Sequence, residues 1–267
     1  MTAPVDLPLP ESAPAAYLPS PASVAKAEAA AKVKRALAWT QSTRFLTTAS
    51  KLDQLPSPGL PEFAFVGRSN AGKSTAINTM AQQRQLAFAS RTPGRTQHIN
   101  LFELGPADAP DTRWADLPGY GYAAVSRSDK QRWQKVMADY LEHRHALAGI
   151  VMMVDSRHGF TPLDKRLLEF VASRVGTGEV RLLVLLTKAD KLSRNDAAKS
   201  LLQAQQQLGA TEGLASDTAD ISVALFSALS RQGLEDAATT LLDWRDAGAP
   251  VVTEGQAEPL LQAASLG

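Results

Sequence analysis

The chain contains no cysteine. That excludes disulfides and cysteine-ligated zinc, and it fits a reducing compartment. Excess charge of either sign is also missing: 28 Lys and Arg stand against 27 Asp and Glu, a net charge of +1. Global charge therefore points to no nucleic-acid partner, although a local basic face is compatible with such a balance. No apolar run approaches the roughly 20 residues that a membrane helix needs. The N-terminus lacks a basic stretch followed by an apolar core, so no secretory leader is expected. No internal repeat is visible. These absences lead to the expectation of a soluble, cytoplasmic protein with no membrane partner.

With 267 residues there is enough chain for one large domain, or one domain with tails. Met1 to Ser23 is rich in Pro, Ala and Ser and has little to bury. Ala25 to Trp39 is Ala- and Lys-rich and predicts a helix, and Arg44 to Thr48 a strand. A turn at Leu55-Pro-Ser-Pro-Gly precedes an alternation of short apolar runs and helical periods. Strands are expected at Phe63 to Val66, Ile99 to Leu104, Arg113 to Ala115, Ala148 to Val154, Arg181 to Leu186 and Ile221 to Phe226. Between Arg127 and His145, the residues Trp133, Val136, Met137, Tyr140 and Leu141 recur on one helical face. Thr161-Pro162 reads as an N-cap with proline at the first helical position, and Leu163, Leu167, Phe170 and Val171 continue one apolar face. Further helices are expected over Asn195 to Leu208 and Gly233 to Trp244. The pattern predicts an α/β fold of three layers, a mostly parallel central sheet with helices on both faces. It divides the chain into a flexible N-terminal tail with a possible helix (1–42), a domain (43–246) and a flexible C-terminal tail (247–267).

The chemistry concentrates in five segments. Gly67-Arg68-Ser69-Asn70-Ala71-Gly72-Lys73-Ser74 matches G-x-x-x-x-G-K-[ST]. It stands between a predicted strand and a predicted helix, the context in which its glycines let backbone N–H groups approach phosphate. Lys73 would reach the β- and γ-phosphates, and Ser74 would bind Mg²⁺. A plain strand-to-helix turn would account for Gly67 and Gly72, but not for Lys73-Ser74. Asp116-Leu117-Pro118-Gly119 is a D-x-x-G element at a strand end. The carboxylate can hold Mg²⁺ through water, and the Gly119 N–H can meet a γ-phosphate. Alone it would be an ordinary Pro-Gly turn.

Thr187-Lys188-Ala189-Asp190 follows another buried strand. An ionised Asp190 can accept from N1–H and the 2-amino group of guanine. Adenine offers neither donor and would leave the carboxylate desolvated and unpaired. The Lys188 stem can lie across the base. At Phe226-Ser227-Ala228-Leu229 the Ala228 N–H can donate to guanine O6, and Ser227 can brace Asp190. Thr92-Pro-Gly94-Arg95-Thr96-Gln97-His98 lies where a switch loop must fall. Thr92 and Thr96 both qualify chemically to complete Mg²⁺ coordination.

Together these segments resemble the EngB family of P-loop GTPases, over about Arg44 to Trp244. The pairing of Thr92-Pro-Gly-Arg-Thr-Gln with Asp116-Leu-Pro-Gly-Tyr-Gly-Tyr is the most specific part of the likeness. The resemblance implies a G domain that binds GTP and GDP as substrate and product. It implies Thr96 as the switch threonine, so that Ser74, Thr96 and Asp116 hold Mg²⁺ while Lys73, Thr96 and the Gly119 N–H serve catalysis. Gly94, Arg95, Gln97 and His98 join the nucleotide contacts. It also implies a monomer that acts in assembly of the large ribosomal subunit, with rRNA and ribosomal proteins as partners and effects on cell division and septation.

Many GTPases carry a water-orienting glutamine directly after D-x-x-G; here that residue is Tyr120. Slow intrinsic turnover is expected, with the ribosomal particle supplying what is missing. Related GTPases with Asn at the position of Asn70 can hold K⁺ against the phosphates, so K⁺ is a second candidate cation. Arg95 reads as a solvated loop residue that can approach the phosphates. Arg127, Lys130, Arg132 and Lys135 give the helix after the second switch a basic face for RNA phosphate. Two other readings compete: a P-loop ATPase or kinase acting on a small molecule, and a guanine-nucleotide-dependent scaffold for division proteins with little catalysis.

Overall fold

The computed structural model of the chain describes residues 20–87, 98–121 and 127–248. In chain order the elements are α1 (Pro21–Gln41), β1 (Arg44–Ala49), β2 (Glu62–Gly67), α2 (Lys73–Met80), β3 (Ile99–Leu104), β4 (Thr112–Asp116), α3 (Arg127–His143), β5 (Leu147–Asp155), α4 (Pro162–Gly176), β6 (Arg181–Thr187), α5 (Arg194–Gly209), β7 (Ile221–Leu225) and α6 (Leu234–Asp246).

Seven strands among the described residues form one sheet in the order β1-β3-β4-β2-β5-β6-β7. The β1–β3 and β3–β4 pairs are antiparallel, and β4–β2, β2–β5, β5–β6 and β6–β7 are parallel. This is the mostly parallel sheet that the alternating pattern predicts. Strands β2, β5 and β6 are almost continuously apolar because helices cover both of their faces. One face packs against α3, α4 and α5 through Tyr140, Leu168, Val171 and Leu208. The other packs against α1, α2 and α6 through Trp39, Ile77, Leu241 and Trp244. The parallel strands all end at one edge of the sheet. Gly67, Asp116, Asp155 and Thr187 are strand-terminal residues there, which is where open α/β sheets gather their ligand loops.

Two expectations change. The helix assigned to the flexible N-terminal tail is packed on the domain. Ala36 and Trp39 are buried, Trp39 meets Trp114 edge-on with centroids 6.3 Å apart, and Lys32 pairs with Asp243 of α6 at 2.7 Å. Its apolar edge is short but carries a tryptophan, which supplies enough buried area to dock a helix. In α4 the cap is as predicted: Thr161 and Asp164 form a reciprocal capping box with Pro162 first in the helix. Phe170, however, is 45% exposed. The buried stripe runs through Leu167, Leu168, Val171 and Val175 instead.

A buried ionic cluster fixes the far end of α3. Glu62, at the start of β2, is fully buried. Its Oε2 accepts from the Tyr140 hydroxyl at 2.6 Å and from Arg144 Nε at 2.9 Å, and its Oε1 accepts from Arg144 Nη2 at 2.6 Å. Burial first, then the Glu62 charge and hydrogen bond, push the Tyr140 phenol well above its ordinary pKa. Arg174 of α4 donates to the Leu141 carbonyl at 2.6 Å, satisfying one of the acceptors left open at a helix C-terminus.

Candidate nucleotide site

The P-loop conformation follows from its small and flexible residues. A Cβ at Gly67 would lie 2.9 Å from the Met153 carbonyl oxygen, so only glycine lets β2 and β5 approach this closely. Gly72 has φ +98° and caps α2 in a left-handed conformation that favours glycine. Asn70 is also left-handed, with φ +65°, a conformation asparagine tolerates better than most residues. Lys73 and Ser74 then open α2, whose N-terminal amides present partial positive charge. Lys73 Nζ pairs directly with Asp116 Oδ1 at the end of β4, both side chains being buried. The buried Asp116 carboxylate and the half-buried Ser74 hydroxyl are hard oxygen donors of the kind Mg²⁺ takes. The residues present therefore fit that ion.

The D-x-x-G segment runs alongside the P-loop and is stitched to it. Leu117 N donates to Phe65 O at 3.1 Å, Tyr120 N to Gly67 O at 3.3 Å, and Ser69 N to Tyr120 O at 2.9 Å. A parallel bridge between Arg68 and Tyr120 continues the β2–β4 pairing into the P-loop and just past D-x-x-G. A Cβ on Gly119 would stand 3.3 Å from Ser69, so Gly119 lies against the P-loop itself. Pro118 and Leu117 are buried beneath it. Tyr120, where glutamine stands in many GTPases, is only 9% exposed and turns its hydroxyl to Asp164 Oδ1 at 2.7 Å.

The two segments expected to read the base also converge. Ser227 Oγ donates to Asp190 Oδ1 at 2.7 Å, the bracing that the sequence suggested. That bond, helped by Lys191, holds the Asp190 carboxyl below its ordinary pKa, so it is an acceptor at neutral pH. Ala189 N donates to Phe226 O at 3.1 Å, which ties the loop carrying Asp190 to the loop carrying Ser227 and Ala228. Lys188 is left-handed, with φ +60°. Its Nζ donates to Asn70 O at 2.7 Å and to Asp155 Oδ2 at 2.8 Å. Thr187 faces the phosphate loop: its hydroxyl donates to Ala71 O at 2.6 Å. It braces the cradle from behind.

Asp155, the last residue of β5, does more than shape a strand end. It receives Lys188 Nζ, together with Arg157 Nε at 2.9 Å and Nη2 at 2.7 Å. Burial raises its pKa, but the hydrogen bonds from Arg157 and Lys188 outweigh burial and hold the carboxyl well below the usual range. Asp155 therefore fixes the lysine that spans the P-loop and the base motif. An acid ending a buried strand is the sequence signal that could have found it. A cleft of about 190 Å³ lies beside these groups, lined by Arg68, Asn70, Asp155, Arg157, Asp164 and Lys188 among others.

Of the switch loop, Thr92, Gly94, Arg95, Thr96 and Gln97 lie outside the described residues. His98 is described: its exposed ring shares a 2.9 Å hydrogen bond with Ser50 Oγ. Lys135 is exposed on α3, while the side chains of Arg127, Lys130, Arg132 and Trp133 lie outside the described residues.

The site can be compared with known proteins. A family model described as "50S ribosome-binding GTPase" matches residues 62–188. The chain is 56% identical over 209 residues to a "Probable GTP-binding protein EngB" of Albidiferax ferrireducens, covering 78% of this chain and 96% of that protein. It is 50% identical over 226 residues to the protein of the same description from Polaromonas sp. strain JS666, covering 85% and 88%. Among solved structures, a probable GTP-binding protein EngB aligns over 70% of this chain and 99% of its own, with TM-score 0.53 and 17% identity. An Era variant from Aquifex aeolicus, bound to GDP and AlF₄⁻, aligns over 73% of this chain and 58% of its own, with TM-score 0.55 and 20% identity. At these identities the two structures speak to the fold alone. The sequence relatives, matched along nearly their whole length, carry the conclusion that this chain belongs to the EngB family of GTP-binding proteins and is a P-loop GTPase.

Proposed function

We propose that the chain is a Mg²⁺-dependent guanine-nucleotide switch with slow intrinsic hydrolysis that acts in assembly of the large ribosomal subunit, and that normal division and septation depend on it. The observation that carries the nucleotide part is Asp190, ionised and oriented by Ser227 at the sheet edge where the P-loop begins. A carboxylate so held accepts from two guanine donors and finds none on adenine. The ribosomal part draws on the description of the matching family, a 50S ribosome-binding GTPase.

Hydrolysis asks for positioning and electrostatic stabilisation more than covalent chemistry. The P-loop amides and Lys73 take the phosphates, and Gly119, lying on Ser69, offers its N–H to the γ-phosphate. Ser74 and Asp116, with Thr96 from the switch loop, would hold Mg²⁺, which neutralises charge on the phosphate oxygens. Tyr120 points to Asp164, so it does not act as a water-orienting side chain. Turnover is then slow in the isolated protein, and a ribosomal partner raises it. Asn70, exposed in its left-handed turn, is the residue through which K⁺ would stabilise the phosphates; equal rates in NaCl and KCl would remove that element.

The protein is proposed to work as a cytoplasmic monomer. Among the described residues no helix is long and apolar enough to cross a membrane. Exposed Lys135, with Arg127, Lys130 and Arg132 on the same helix, is proposed to meet rRNA phosphate. The test is sedimentation with large ribosomal subunits in GTP, GDP and no nucleotide, alongside competition of ATP against GTP. Nucleotide-dependent co-sedimentation and rejection of ATP are expected. Equal competition by ATP would end the guanine reading. A buried Tyr120 also suits the alternative, a scaffold for division proteins with little catalysis. Hydrolysis that no ribosomal particle stimulates would favour that alternative.

A further inference from the structure

Tyr120 does not orient water, yet it is held more firmly than a spectator residue needs to be. Its ring is buried, and its hydroxyl donates to Asp164 Oδ1 at 2.7 Å. The acceptor cannot drift. Asp164 is 2% exposed, and its other oxygen accepts from Thr161 N at 2.8 Å and Thr161 Oγ1 at 2.6 Å, within the cap that starts α4. On its other side the Tyr120 backbone is bonded through N and O to Gly67 and Ser69. The next position is restricted to glycine. Gly121 has φ +80°, and a Cβ there would lie 2.9 Å from Leu163 Cδ1 on the first turn of α4. The glycine of D-x-x-G is thus followed by one residue clamped between the P-loop and α4, and by a second glycine close to α4.

We infer that Tyr120 is a positioning residue for the third phosphate: its hydrogen bond to Asp164 keeps Gly119 packed on Ser69, with the D-x-x-G turn already ordered when GTP arrives. This rests on the guanine-nucleotide reading above. A turn containing two glycines in three residues loses much conformational freedom when it closes on a ligand. A contact that orders it beforehand removes that cost from the binding step. Burial first, and then the Asp164 charge and hydrogen bond, push the Tyr120 phenol far above its ordinary pKa, so the hydroxyl remains a donor throughout the working pH range. GDP has no third phosphate to meet Gly119, so the latch acts on GTP and not on GDP.

The experiment measures affinity for GDP and for a non-hydrolysable GTP analogue in the full chain, for the wild type, Tyr120→Phe and Asp164→Asn. Tyr120→Phe keeps the ring and removes only the hydroxyl. The expected result is loss of analogue affinity by roughly five- to tenfold, the net size of one hydrogen bond, with GDP affinity unchanged. Asp164→Asn keeps the shape but not the acceptor charge, and is expected to act in the same direction. It serves as the second probe should the tyrosine variant fold poorly, as judged by thermal unfolding. A merely structural role would lower both affinities together, and that outcome, or an unchanged analogue-to-GDP ratio in both variants, overturns the inference. A wild type that binds neither nucleotide would instead overturn the guanine reading, and the inference with it.

Discussion

Ser227 and Asp190, 37 residues apart in sequence, meet at 2.7 Å through hydroxyl and carboxylate. The contact joins the two loops that would face a purine base and leaves Asp190 Oδ2 for a ligand and for Lys191, which stands 3.4 Å away. Ser227 is fully buried and its hydroxyl also accepts from Ser230 N at 3.2 Å. The serine is therefore fixed from two directions, and it passes that order to Asp190.

Ser227→Ala should accordingly weaken GTP and GDP binding alike by about three- to tenfold, near 1 kcal/mol, the net size of one hydrogen bond made inside a folded loop. Rejection of ATP should persist, because the carboxylate itself remains. Calorimetric titration with all three nucleotides checks this. Unaltered GDP affinity would show that Asp190 needs no brace.

The P-loop, D-x-x-G and Thr187–Asp190 segments were legible because each places its chemistry within a few consecutive residues. Local apolar runs likewise gave the strands that precede them. What was not legible joins residues far apart in sequence. Asp155 grips Lys188, Tyr120 meets Asp164, and Glu62 receives Arg144. No local spacing encodes such pairs, since they depend on which strands become neighbours in the sheet. Phe170 shows the reverse limit. Its spacing suits the stripe through Leu167 and Val171, but the sheet lies under the edge marked by Leu168 and Val175. The apolar period was right, and its phase was set by packing.

Asp155 gives a pH dependence whose sign can be worked out. Its carboxyl titrates lower in the folded chain than in the unfolded one. Near and below the ordinary carboxylate pKa, about 3.9, the unfolded state binds more protons. The stabilisation is then fully present above that value and is lost as pH falls through the folded pKa. Asp155→Asn should cost about 1–2 kcal/mol at pH 7 by removing the charged partner of Lys188 and Arg157. Its deficit against wild type should shrink as pH falls below about 4. Urea unfolding at several pH values measures this, and a deficit independent of pH would contradict the charge-based account.

The Glu62 cluster should behave as a buried ion pair does when one partner is deleted. Glu62→Ala leaves the Tyr140 hydroxyl without its acceptor and the Arg144 charge with the Pro56 carbonyl alone, and a loss of about 3–5 kcal/mol is expected. Tyr140→Phe removes one hydrogen bond and leaves the ion pair, so about 1 kcal/mol should go. Because both act on the same carboxylate, the double variant should lose less than the sum of the two. Denaturant midpoints for the cycle test this. Strict additivity would mean that Tyr140 and Glu62 do not share the interaction seen at 2.6 Å.

Trp39 decides whether α1 is an integral part of the domain. It lies edge-on to Trp114, donates Nε1 to Asp111 at 3.0 Å, and carries the Arg245 guanidinium 5.2 Å above its ring. Three elements therefore meet on one side chain: α1, the β3–β4 hairpin and α6. Trp39→Ala would open a cavity against Trp114 and leave Asp111 with Arg245 alone, at 3.3 Å. A loss of about 3–5 kcal/mol in global stability is expected, visible as a lower thermal midpoint with the single transition retained. An appended helix would behave differently. It would detach in a separate early transition, or its loss would leave the midpoint of the remainder unmoved. The nucleotide edge lies away from this contact, so the ratio of GTP to GDP affinity should stay constant while the midpoint falls.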